Sequence, residues 1–211
     1  TKIIPSVTDP VGNRRIVSRM AGPYTVGTTG TYPTLAAAAA ELNVRGMQGD
    51  VQFNIISDIT ETEIVGIFPW DEAGTGDYTL TVAPSGAART ITGSQANGLV
   101  FLADADRVTF DGRIGGTGNN LTFINNGAGP VFVVASYQAD NDGAKNNTIR
   151  NLNITGSDNA NSSVYGIWST YGATATESNN NNNSIIENNF SKLYQAIRIN
   201  GGSNQYDNNW L

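Results

Sequence analysis

The sequence predicts an all-β fold, a solenoid whose short strands stack coil upon coil. Three observations carry that prediction. First, related phrases recur. Thr109-Phe110-Asp111-Gly112 is followed 39 residues on by Thr148-Ile149-Arg150-Asn151-Leu152-Asn153-Ile154, and 36 residues later by Ser184-Ile185-Ile186-Glu187-Asn188-Asn189-Phe190. A further phrase, Asn204-Gln205-Tyr206-Asp207-Asn208-Asn209-Trp210, stands at a shift of 20. Short β-prone units closing on Asn or Gly at such spacings mark stacked solenoids. Second, the strand-like segments are short and cut by Gly, Pro and Ser turns. Third, 22 of the 26 Asn residues follow position 118. Asn tolerates left-handed backbone and can hydrogen-bond along equivalent bends of a stack.

The elements follow in order. Residues 1–22, with Pro5, Pro10, Arg14, Arg15 and Arg19, read as a lead-in arm or linker, and residues 23–211 as the solenoid. Tyr24-Thr25-Val26 is a short strand. Thr34 can cap a helix built on Leu35-Ala36-Ala37-Ala38-Ala39-Ala40-Glu41-Leu42, whose Leu35, Ala38, Ala39 and Leu42 fall on one stripe. That helix should stop before Gly46. Val51, Phe53 and Ile55 alternate with Gln52 and Asn54, as in a half-buried strand. Tyr78–Val82, Thr90–Thr92 and Leu99–Leu102 continue the strand series. The last strands of later coils, Val131–Ala135, Tyr165–Ser169 and Gln195–Ile199, align so that Val133, Ile167 and Ile197 stack inside. Val134, Trp168 and Arg198 then stack outside. Two expanded turns, Gln138–Asn146 and Gly172–Asn183, should project from the stem.

Tyr24 through Glu63, with its Tyr32-Pro33-Thr34-Leu35 turn, single helix and following strand, resembles the amino-terminal cap of right-handed parallel β-helices of the pectin-lyase superfamily. Val108-Thr109-Phe110-Asp111-Gly112 adds a coil phrase of that kind. The stretch is most similar to β-helix modules of large secreted surface proteins exported by bacterial type IX secretion. The resemblance implies a right-handed parallel β-helix with an amino-terminal amphipathic capping helix. A cap is physically reasonable, because an exposed first coil leaves unpaired backbone groups and open core. The chain begins with Thr1, without a charged-then-apolar leader, and stops at Trp210-Leu211 inside a repeat phrase. It is therefore expected to be a piece of a longer parent, truncated at its carboxy-terminal end.

Composition narrows the chemistry. Twelve basic against 18 acidic residues give a formal charge of −6, which argues against nucleic acid and anionic membrane as partners. No apolar run is long enough to span a membrane. There is no Cys, hence no disulfide or thiol chemistry, and no His. The missing His removes the commonest general base, the Ser-His-Asp class and ordinary zinc sites.

Asp104, Asp106 and Asp111 cluster in sequence around Arg107 and Arg113. Polysaccharide-cleaving β-helices use carboxylates and an Arg on one outer sheet, so Asp104, Asp106, Asp111 and Arg107 are the catalytic candidates if the chain is an enzyme. Pectinesterases carry an Asp-Phe-Ile-Phe-Gly phrase that this chain lacks, polygalacturonases need a His, and no lyase-type Ca²⁺ cluster can be assembled. Asp140-Asn141-Asp142-Gly143 resembles the start of a calcium loop, but Asn151 stands where the twelfth-position Glu belongs. A polar turn is the simpler reading, and no cofactor is called for. Trp168, Tyr171, Tyr137 and Arg198 are the ligand-binding candidates, with Tyr194 nearby. Aromatic rings on an outer face can stack on sugars, and Arg198 one coil on can form a cation–π contact with Trp168. Asn-x-Ser/Thr triplets such as Asn153-Ile154-Thr155 are expected by chance in this composition.

The expected function is a non-enzymatic stem or adhesion module of a secreted or cell-surface protein, presenting loops and an outer sheet face to glycans or protein partners. Its location would be extracellular or at the cell surface. The alternatives are a polysaccharide-active lyase, esterase or hydrolase, and a subunit that self-associates end to end into a polymer.

Overall fold

In a computed structural model, the described residues are 7–8, 14–15, 18–137, 143–157, 160–171, 179–201, 207 and 210–211. Two short strands, β1 (Val7–Thr8) and β2 (Arg14–Arg15), pair antiparallel. Strand β3 (Met20–Val26) and helix α1 (Leu35–Arg45) precede five three-strand coils. The first holds β4 (Met47–Ile55), β5 (Ile59–Thr60) and β6 (Val65–Ile67). The second holds β7 (Leu80–Pro84), β8 (Arg89–Gly93) and β9 (Val100–Ala103). The third holds β10 (Val108–Asp111), β11 (Leu121–Asn125) and β12 (Phe132–Ser136). The fourth holds β13 (Thr148–Arg150), β14 (Leu152–Thr155) and β15 (Tyr165–Tyr171). The fifth holds β16 (Ser184–Ile186), β17 (Asn189–Ser191) and β18 (Gln195–Ile199).

Successive coils pair parallel into three sheets. The first runs β3-β4-β7-β10-β13-β16, the second β5-β8-β11-β14-β17, and the third β6-β9-β12-β15-β18. The chain is thus a parallel β-solenoid of about five turns, with a single helix among the described residues, near its start. The 39- and 36-residue spacings are pairing registers, because Thr109 lies beside Thr148 and Thr148 beside Ser184. The 20-residue shift is not. Leu211 donates to the Asn183 carbonyl and accepts from the Ile185 N–H at 2.5 Å, which sets it beside Ser184. Residues 204–206, 208 and 209 of that phrase lie outside the described residues.

Inward side chains form ladders along the axis. Phe53, Val82, Phe110, Ile149 and Ile185 line up on the first sheet. In the third coil each sheet contributes one phenyl ring. Phe110, Phe123 and Phe132 meet edge to face with centroids 4.9 to 5.7 Å apart, all three fully buried. Such pairs add stabilisation beyond their area burial. On the third sheet Phe132, Ile167 and Ile197 share a register, and so do Val133, Trp168 and Arg198. The expected inward position of Val133 is therefore one residue out. Its strand is buried at every position, so alternation gave no cue to the face.

The corners are built from side chains that replace backbone partners. Asn147 Oδ1 accepts from the Val108 N–H and its Nδ2 donates to the Ala105 carbonyl, both at 2.9 Å. One coil later Asn183 repeats this with the Asn147 N–H and the Ala144 carbonyl, again at 2.9 Å. Asn188 does likewise at another corner with the Leu152 N–H and the Ile149 carbonyl. Asn151 instead donates to Glu187, one coil on at the same register; both adopt positive φ. Gly112 precedes them at this corner, where a Cβ would stand 1.8 Å from the Asn151 carbonyl oxygen.

Helix α1 closes the start of the stack. Thr34 Oγ1 accepts from the Ala37 N–H, and Gly46 ends the helix at φ 65°. Leu35, Ala38, Ala39 and Leu42 are buried, as the stripe predicted. The buried Glu61 carboxylate accepts the Leu35 and Ala36 N–H groups at 2.7 and 3.3 Å, satisfying two more first-turn donors. Asn43 donates to the Gly66 carbonyl and accepts from the Phe68 N–H, at 2.9 and 3.1 Å. That is the pair of bonds a neighbouring strand would make with Ile67. Among the described residues no helix is long and apolar enough to cross a membrane.

Candidate functional site

The catalytic candidates separate into two places. Asp104 and Arg107 adopt positive φ in the turn between β9 and β10. With Asp106, Pro69 and Trp70 they line a cleft of about 180 Å³. Asp111 does not line it. Each carries structural bonds. Asp104 Oδ1 accepts from the Tyr137 and Gly143 N–H groups, at 2.9 and 3.2 Å. Asp106 Oδ1 accepts from the Lys145 N–H at 2.7 Å. Arg107 donates to the Tyr78 carbonyl at 3.1 Å and to Glu72 at 2.8 Å.

Glu72, which sequence reasoning missed, is the centre of that loop. It accepts from Trp70 Nε1, the Tyr78 and Asp77 N–H groups, and Arg107. Burial alone would raise its pKa, but these donors outweigh it and hold the carboxyl below the ordinary value. Asp111 behaves alike: partial burial is outweighed by a two-bond pair with Arg113 and a 2.8 Å bond from Arg150. Firmly ionised, it is a poor proton carrier near neutral pH. Burial, against two backbone hydrogen bonds, pushes Glu61 up.

Among the ligand-binding candidates, Trp168 lies beside Arg198 in register, but its ring packs against Tyr165 at 5.8 Å. Arg198 sits over the Tyr165 ring at 5.1 Å, bonds to the Tyr165 hydroxyl, and donates to Asn200 at 3.2 Å. The expected cation–π partner is thus Tyr165 in place of Trp168. Tyr171 ends β15, and its side chain lies outside the described residues, as do Asp140, Asn141 and Asp142 of the calcium-like phrase. Asn153 sits in β14 with its amide bonded to the Asn119 carbonyl and to Asn189. Among the described residues no three acidic side chains are gathered as a metal site.

Tyr137 marks a larger concavity of about 560 Å³ between α1 and the outer face of the third sheet. Gly66 and Ala103 give it a small-residue floor, Ala36 and Ala40 a helical wall, and Phe101 with Tyr137 the opposite wall. Those two rings meet edge to face at 6.5 Å. Phe68, Ile64, Glu63 and Asn97 stand around the concavity, and Asn43 joins the helical wall. Sequence reasoning found Tyr137 and missed the rest, because three other separate segments supply them. The Ala run was the available signal: two of its members face the core and two face this groove. No protein-family model, curated protein or solved structure matches this chain.

Proposed function

We propose that the chain is a non-enzymatic stem and binding module of a secreted or cell-surface protein, of the kind its cap resembles in pectin-lyase-like and type IX-exported proteins. The observation that carries this reading is the division of labour among its polar groups. Asp104, Asp106, Asp111 and Arg107 all hold turns or neighbouring coils, while the larger concavity, beside α1, lies elsewhere and is mainly apolar. Five coils at about 4.8 Å each make a short rigid post, and its faces and loops meet glycans or partner proteins. A polysaccharide and glycan panel, read for binding and for bond cleavage with and without Ca²⁺, tests it. Binding without cleavage is expected, and cleavage products would overturn it.

The enzyme reading keeps one specific support, the shared cleft of Asp104, Asp106 and Arg107. Were cleavage seen, Asp106→Asn would be the first variant to assay. Head-to-tail self-association draws on the exposed Ile186, Ile197 and Ile199 of the fifth coil, but Asn43 already pairs the β6 edge that such docking would use. Sedimentation at rising concentration tests it, and a constant monomer mass would remove it.

A further inference from the structure

We propose that the groove between α1 and the third sheet binds a neutral pyranose chain, an inference that rests on the binding-module reading and gives it a site and a ligand class. Pockets for small ligands combine apolar walls with a few convergent polar groups, and about 560 Å³ is in that range. Phe68 and Tyr137 stand on the rim 41% and 48% exposed, presenting ring surface on which the C–H face of a sugar stacks. Tyr137 is held there by its own N–H bond to Asp104. Phe68 lies across Gly66, where a Cβ would come within 3.0 Å of the ring, so the glycine is what lets that ring lie against the sheet.

Charge and hydrogen bonding select the ligand. Glu63 and Asn97, both exposed, offer acceptors and donors to ring hydroxyls. Among the described residues lining the groove, Glu63 is the one charged side chain and no Lys or Arg joins it. A uronate chain would bring carboxylates against that carboxylate on a chain of net charge −6. A purely aliphatic ligand would desolvate Glu63 and Asn97 without partners. An extended peptide would need an open ladder edge, and Asn43 occupies the one on β6.

The test is calorimetric titration of the whole chain with cellohexaose, xylohexaose and mannohexaose, and with hexagalacturonate as the anionic counterpart. At least one neutral chain should bind and the uronate should not. Ala40→Trp, which fills the groove from an exposed helix position, should weaken binding by about tenfold or more, and Tyr137→Ala by about tenfold. Trp168→Ala should leave affinity unchanged. If Ala40→Trp does not fold, the exposed Tyr137 decides. Binding that survives both variants, preference for the uronate, or no binding to any neutral chain would overturn the groove assignment. The module reading falls only if products of bond cleavage appear.

Discussion

The first and fifth coils place the same kinds of residue at the same register of the third sheet, with opposite results. Val65 and Ile67 of β6 are 0% exposed, whereas Ile197 and Ile199 of β18 are 41% and 42% exposed. The registers run unbroken from one pair to the other through β9, β12 and β15. What differs is the neighbour: α1 lies against β6, while among the described residues β18 pairs with β15 alone. In a solenoid, alternation decides which way a side chain points, and the next layer decides how far it is buried.

That contrast can be broken at several points. Phe132→Ala, in the three-ring cluster of the third coil, should cost about 3–5 kcal/mol in denaturant unfolding. Asn147→Ala should cost about 1–3 kcal/mol, because the Val108 N–H would be left buried without its acceptor. Thr34→Ala should loosen the capping helix by about 1 kcal/mol, with earlier exchange of amide hydrogens in α1 than in the central strands.

A gentler probe is pH, and its sign differs between cap and centre. Glu61 has a folded pKa above 4.5, so the native state holds more protons and stability falls as pH rises from there through the folded value. Asp111 has a folded pKa below 3.8, so its contribution is present above that value and lost as pH falls through the folded one. Glu61→Gln should remove the first slope and Asp111→Asn the second, in melts taken between about pH 3 and about pH 7. The smallest effect belongs to the open end: Ile197→Ala should stay within about 1 kcal/mol, since much of its surface already meets water. A loss as large as that of Phe132→Ala would mean that the fifth coil is covered in solution.

Much of this fold can be read from the sequence because the strands are short, regular and punctuated. Thr34, the Leu35–Leu42 stripe and Gly46 gave the helix its start, its buried face and its end. The 36- and 39-residue spacings hold because Thr109, Thr148 and Ser184 occupy one position of the first sheet. The 20-residue shift misled because similar residues stand at unlike places along a coil. Asn188-Asn189-Phe190 crosses from the first sheet into the second, whereas Trp210 stands just before the first-sheet position of Leu211. Asn fills left-handed corners at Asn146, Asn151 and Asn182, in keeping with its tolerance of that backbone, whereas Arg107 and Glu187 fill others with no such signal. The groove stayed dark for another reason. Its floor is made by what is missing from Gly66 and Ala103, and small size at scattered positions carries no pattern.

Asn43 has a consequence for how such a stack can grow. Its one amide answers the hydrogen-bonding request of β6 and then offers nothing onward, so the helix behind it is a full stop in the ladder. A stray strand arriving at β6 would have to displace packed helix as well as amide before gaining its first bond. Along β6 the third sheet is therefore closed by a side chain, and a strand could join it there only at the expense of helix α1.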